Sequence, residues 1–327
     1  MKRITFWSAL AVVAALAAPV VSADVKTKEK SLVSLEGVLG GVVRVFGGRA
    51  AREGIESTSA VKGNRKITLN NASGRIVDLT EQKVYELDVR RKEYRVRTFA
   101  ELRAEFEKAK AEAAKQKASA TPEEKAQMEE AGKQLEFDAK VEETGQKKSI
   151  AGYDTREVVL TITGREKGKS LEDGGGFVMT STMWLAPKIA ALDELYLFEL
   201  RAAKAIYGED FAADMQQMAA MIAMYPSFTE MSKRMQTEGR KLQGTALSTT
   251  VVFEGVKSAE QMKAQADQQQ SSGGGGLSGA LARRMMGNRG APQQRAKVMT
   301  TTHDLLSVDT TVADADVALP AGYKEKK

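Results

Sequence analysis

The chain has 327 residues, 42% of them hydrophobic and 28% charged, with no cysteine, one histidine and a formal net charge of +6. That length can bury a core without crosslinks, and the absence of thiols excludes disulfides, thiolate metal sites and cysteine nucleophiles. The mild positive excess is not the concentrated basic face that a nucleic-acid binder needs.

Residues 1–23 read as an export leader. Lys2 and Arg3 precede an apolar stretch from Ala9 to Val21, and Val21-Ser22-Ala23 supplies small residues for cleavage after Ala23. Ile4 to Val21 is also just long enough to span a bilayer as an uncleaved anchor, but Pro19 and the small-residue exit favour cleavage. The expected address is periplasmic or secreted. No second apolar stretch of that length follows, so the mature chain, 24–327, is expected to be a single domain that does not span a membrane.

Leu32 to Phe46, "LVSLEGVLGGVVRVF", is apolar but too short and too charged to cross a bilayer. It reads either as a first strand with a flap at a cavity mouth or as a buried edge strand and turn. Residues 55–98 then carry β-favouring runs at Ile55–Val61, Arg65–Asn70, Gly74–Leu79, Lys83–Asp88 and Glu93–Thr98, separated by turn-formers. This rhythm predicts an antiparallel meander. Alternation puts Ile67 with Leu69, Tyr85 with Leu87 and Tyr94 with Val96, and turns Arg95 and Arg97 to a side expected to be wet.

Phe99 to Lys117 switches to helical spacing, and Thr121-Pro122-Glu123-Glu124 is a capping box that starts a second helix. The two form an expected helical insert over 99–135. Strands resume at Glu136–Thr144, Tyr153–Thr163 and Gly176–Leu185. In the last, Val178, Thr180, Thr182 and Trp184 share one face, and Met179, Ser181, Met183 and Leu185 the other. Lid helices are expected over 188–240. One carries the stripe Leu195, Phe198, Ala202 and Ala205, closed by Gly208. The next carries Met215, Met218, Met221, Ile222 and Met224, and Pro226 breaks it. Thr245–Phe253 and Val298–Val308 read as strands, and 268–292 as a flexible loop rich in Gly and Gln.

Chemistry-bearing motifs are few. His303 lies in Thr300-Thr301-Thr302-His303-Asp304 and reads as an ordinary strand residue rather than part of a Ser-His-Asp triad. One histidine also excludes the common zinc arrangements. Asp314-x-Asp316 lacks the glycine and bidentate glutamate of a calcium loop and reads as a polar turn. Gly273–Gly276 follows no strand and has no Gly-Lys-Ser/Thr ending, so it is not a phosphate cradle, and Arg283-Arg284 reads as solvated loop. A carboxylate-pair hydrolase stays open as a third reading, although the sequence singles out no pair.

The stretch "ETGQKKSIAGY" (Glu143–Tyr153) resembles a hairpin of exported bacterial proteins related to the lipoprotein-carrier (LolA-like) superfamily. "RIVDLTEQKVYELDVRRKEYRV" (Arg75–Val96), "MTSTMWLAP" (Met179–Pro187) and "VALPAGYK" (Val317–Lys324) are similar to its paired strands, pre-lid strand and closing tail. The resemblance implies an α+β fold: a strongly curved antiparallel sheet, an unclosed barrel, with helices covering the concave side. In that superfamily the cavity holds acyl chains or lipoproteins. This chain is longer than the carriers, through 99–135 and 268–292.

Two functional readings follow. The first is an exported non-enzymatic protein that binds a hydrophobic ligand, a lipid or acyl chain, between sheet and helices. Trp184, Leu195, Phe198, Met215, Met218 and Ile222 would line that cavity. A Met-rich lining moulds to varied apolar partners. The second is an envelope structural or partner-binding protein whose core is fully packed. Neither calls for a cofactor or metal, and the partners expected are a lipid or lipoprotein, or an envelope protein.

Overall fold

The computed structural model describes residues 24–36, 50–119, 121, 135–208, 211, 216, 232–233, 236–271 and 293–326. The expected leader, Gly37–Phe46, the helix begun at Pro122, Met215, Met218, Ile222, Gly273–Gly276 and Arg283-Arg284 lie outside them.

The described strands make one open twelve-stranded sheet. They are β1 (Val25–Leu35), β2 (Ile55–Lys62), β3 (Arg65–Asn70), β4 (Ser73–Asp78), β5 (Lys83–Asp88), β6 (Glu93–Thr98), β7 (Leu135–Ile150), β8 (Tyr153–Glu166), β9 (Gly176–Ala186), β10 (Thr245–Val256), β11 (Arg295–Asp309) and β12 (Lys324–Glu325). The order is β12-β6-β5-β4-β3-β2-β1-β11-β10-β9-β8-β7. All pairs are antiparallel except β12 with β6, which makes the sheet mixed. The α-helices that lie wholly within the described residues are α1 (Ala50–Glu53), α2 (Phe99–Ser119), α3 (Leu171–Gly174), α4 (Ala190–Tyr207), α5 (Ala259–Ser271) and α6 (Asp314–Val317).

The meander read at 55–98 is β2 to β6, and its turns share one chemistry. Asp78 Oδ1 accepts from the Thr80 and Glu81 amides, and Asp88 Oδ1 from the Arg91 amide. Four residues after each aspartate, Gln82 and Lys92 sit at φ 54° and 53°. The β7–β8 hairpin turns at Ala151-Gly152, φ 50° and 84°, the two positive values of a type I′ turn. It closes at Ile150 and Tyr153, so β7 runs six residues past the expected end at Thr144.

Period-2 alternation gives β2–β5 two apolar faces, the front of which continues onto Val25 of β1. Val25, Val61, Val77 and Val84 point to the front, where Phe99 and the α4 residues Phe198, Ala202 and Ile206 pack on them. Ala60, Ile67, Ile76 and Leu87 point to the back, where Val312, Val317, Leu319 and Tyr323 cover them. The C-terminal segment is therefore a strap. Lys26 Nζ donates to Asp316 Oδ1 at 2.6 Å, Lys62 pairs with Asp314 at 2.9 Å, and the chain ends by pairing with β6. Asp314-x-Asp316 is thus a helical turn pinned by two lysines rather than a bare polar turn.

Helix α2 crosses α4. Arg103 of α2 donates to the carbonyls of Ile206 and Ala205, satisfying the C-terminal end of α4. Phe106 packs on Tyr207, centroids 4.9 Å apart. This corrects the expectation that the side bearing Arg97 is wet. Arg97 is 16% exposed and pairs with Glu105 of α2 and Glu86 of β5, although Arg95 does face solvent. A guanidinium tolerates cover when carboxylates come with the covering helix.

Helix α5 was not expected. Its sequence has no apolar stripe, but Ser258-Ala259-Glu260-Gln261 is a capping box: Ser258 Oγ accepts from the Gln261 amide and Gln261 Oε1 from the Ser258 amide.

Strand β1 is the seam of the sheet. It pairs with β2 on one side and β11 on the other, joining the N-terminal meander to the strands β7–β11. The strand starts ahead of the expected Leu32 and includes the charged run Lys26–Lys30: Thr27 is buried on the front, and the lysines alternate to the back, where Lys26 meets Asp316 and Lys28 is exposed. Among the described residues no helix is long and apolar enough to cross a membrane.

Candidate functional site

Register carries the front face from β1 across β11, β10, β9 and β8 to β7. Met299, Phe253, Met179, Ile162 and Ala139 are successive cross-strand partners, and so are Thr301, Val251, Ser181, Leu160 and Val141. Phe253 of the first row meets two rings of the neighbouring row, Phe177 and Phe137. Phe137 and Phe177 have centroids 6.1 Å apart, and Phe177 stacks on Phe253 at 5.3 Å. The tract is half-buried: Phe137, Ile162, Phe177, Met179, Val251, Phe253 and Met299 all keep part of their surface open. None of the three rings belongs to the packed clusters described for the core.

Gly164 shapes this surface. It lies between Phe137 and Phe177 in the same row, and a Cβ there would stand 2.4 Å from the Phe177 ring. The missing side chain lets the ring lie flat over β8, giving a low aromatic floor.

The residues expected to line a cavity fall into three groups. Leu195 and Phe198 come together on α4, but Phe198 is 0% exposed and packed against Val25, Val61 and Val84, which makes it core. Trp184 is not with them. It points to the back face, opposite Met183 and Leu185, with the Lys148 ammonium 3.9 Å from its ring centroid. Met215, Met218 and Ile222 lie outside the described residues. The aromatic tract was missed because Phe137, Phe177 and Phe253 are far apart in sequence. The signal available was the alternation itself, which already separated Met179, Met183 and Leu185 from Trp184.

Other openings mix charged and apolar lining. A cavity of about 810 Å³ lies along the β7 edge, bounded by Asp138, Lys140, Glu142, Lys233 and Lys241. Lys241 Nζ donates to the Val141 carbonyl, so one backbone acceptor of the edge strand is already paired. A second, of about 570 Å³, lies by Lys147, Lys148, Asp154 and Arg156. Arg156 is anchored there by Glu143 and by the Lys241 and Gln243 carbonyls. The second opening is also lined by Leu185, Ala186 and Pro187. Among the described residues no group of three or more metal-ligating side chains converges.

One electrostatic feature lies on the strap side. Tyr85 packs on Tyr94, and its phenol is pushed up to about 12, first by burial and then by its hydrogen bond to Glu81.

No family model matches the chain, and neither a curated protein nor a solved structure matches it.

Proposed function

We infer that the protein binds a hydrophobic ligand, a lipid or acyl chain, on the front face of β7–β11. The half-buried tract centred on Phe137, Phe177 and Phe253 carries this reading. Each methylene taken from water onto such a surface contributes about 0.8 kcal/mol. The finer architecture expected from sequence is part of the same proposal: a strongly curved sheet related to the LolA-like carriers, with helices on its concave side and Met215, Met218 and Ile222 against the ligand. So is the exported address. The site differs from the one expected, since the described lining is strand-borne and excludes Trp184.

The test is titration of delipidated protein with a fluorescent fatty acid. Saturable binding that falls about tenfold or more in Phe177→Ala and Phe253→Ala supports the reading. A wild-type protein that shifts no such probe, and carries no lipid by mass spectrometry when purified from an envelope fraction, overturns it.

One observation favours the second reading, a partner-binding envelope protein. Tyr196, Leu197 and Leu200 on the outer side of α4 are 66%, 45% and 48% exposed. A photo-crosslinker at position 200 that captures one defined envelope protein in cells would favour it over lipid binding.

A further inference from the structure

We propose that Ser31, His303 and Glu29 form a nucleophile, base and positioning carboxylate that cleave carboxylic esters of apolar acyl chains. All three stand on the front face. Ser31 and His303 are direct partners across β1 and β11, and Glu29 is two residues before Ser31, one step along the same face. Ser31 Oγ and His303 Nδ1 are 3.0 Å apart. His303 Nε2 lies 3.7 Å from Glu29 Oε2.

The surroundings assign the protons. Thr27, buried at 1% exposure, donates its hydroxyl to Glu29 Oε1 at 3.0 Å and so fixes the carboxylate. A carboxylate facing Nε2 favours the tautomer with its proton there, leaving the Nδ1 lone pair to accept from Ser31. That is the arrangement in which an imidazole acts as general base toward a hydroxyl. The β1–β11 register slips between Lys28 and Glu29, so Leu306 is extra on β11, and this bulge brings Leu305 rather than Leu306 opposite Glu29. Bulges gather beside functional sites because they re-aim side chains. Access is open: His303 is 48% exposed on its side chain, and Val33, two residues beyond Ser31 on the same face, is 50% exposed.

Substrate class follows from the neighbours. Val33, Thr301 and Val251 are partners in the row next to Ser31 and His303, and Val251 belongs to the apolar tract. An acyl chain lying along that row presents its ester carbonyl at Ser31. The Ser31 Oγ–carbon bond forms as the hydroxyl proton passes to Nδ1. Collapse of the adduct breaks the bond to the alcohol oxygen, which takes the proton from Nδ1. Water then attacks the acyl-serine by the same base, releasing the carboxylic acid and restoring Ser31. The net reaction is ester plus water to acid plus alcohol. The choice of an acyl substrate rests on the binding reading; the reactive hydroxyl does not.

The test is labelling of the full chain with an alkyl fluorophosphonate, read by peptide mapping, together with hydrolysis of p-nitrophenyl esters of increasing chain length. Ser31 is expected to carry the adduct, with labelling absent in Ser31→Ala and reduced about 100-fold or more in His303→Ala. Glu29→Gln is expected to slow labelling and Glu29→Asp to restore part of it, with thermal unfolding unchanged in both. A wild-type protein labelled no faster than Ser31→Ala overturns the proposal. Labelling without any preference for longer esters upholds the serine and overturns the acyl substrate. Loss of labelling in Ser31→Ala with fatty-acid binding intact separates this site from the binding reading.

Discussion

The two ends of the sheet complete the same alternating pattern in different ways. Across β2–β5 both faces are closed, the front by α4 and the back by the C-terminal strap, and the residues there are driven to near-zero exposure. Across β7–β10 the front face carries larger side chains, three of them phenylalanine, yet keeps them half-open. A face that gave only stability would hide its largest apolar groups best, because burial is where they contribute. Here the most aromatic part is the less covered one. The proposed ligand surface rests on that inversion, while Val141, Val158 and Leu185 of the same face are buried in a packed cluster.

The largest effect that sharpens this comparison is expected from Phe198→Ala. Phe198 is fully buried, and its removal should cost about 3–5 kcal/mol in chemical denaturation while leaving probe affinity in the folded fraction unchanged. Phe177→Ala and Phe253→Ala should do the reverse, costing less stability than Phe198→Ala but weakening fatty-acid binding about tenfold, which is about 1.4 kcal/mol. Equal stability losses in both regions would break the contrast. Gly164→Ala should lift the Phe177 ring from its place over β8 and lower probe affinity, since the added carbon meets the ring at 2.4 Å.

Smaller effects belong to the closed end. Because Tyr85 is held neutral in the fold, its contribution is complete below pH 10 and is lost as pH rises toward about 12. Tyr85→Phe should flatten the loss of stability across that window. At the acid end, the Lys26 ammonium and then the Ala313 amide hold Asp316 below its usual range. The strap's hold on the back face is therefore present above that range and weakens as pH falls below about 3.8, read as hydrogen exchange at 312–320. The smallest effect is at the β7–β8 hairpin, where Ala151→Asn supplies the residue that a type I′ turn prefers and should raise stability by about 0.5 kcal/mol.

Local pattern made much of this legible. The five-strand meander, the faces of β9 and the α4 stripe closed by Gly208 follow from alternation, helical spacing and one C-terminal glycine, and all three stand in the structure. What escaped depends on partners distant in sequence. Arg97 looked solvent-facing until α2 brought Glu105 over it. Trp184 looked like lining because it is large and apolar, but its parity places it on the back face beside Lys148. The contacts of His303 with Ser31 and Glu29 were illegible for the same reason, since those residues lie more than 270 positions away and only the β1–β11 register joins them. The cap at Ser258 is legible as Ser-Ala-Glu-Gln, but the helix behind it has no apolar stripe to announce it.

The position of β1 at the seam has a consequence for how the chain is made. Val25 to Leu35 leave the ribosome long before their second neighbour, Arg295 to Asp309. Until then the early meander can assemble but one flank of β1 has no companion. Pairing so remote in sequence forms slowly, since a long loop must close before any contact rewards it. The newborn chain thus waits with an open selvedge on that flank until β11 is supplied.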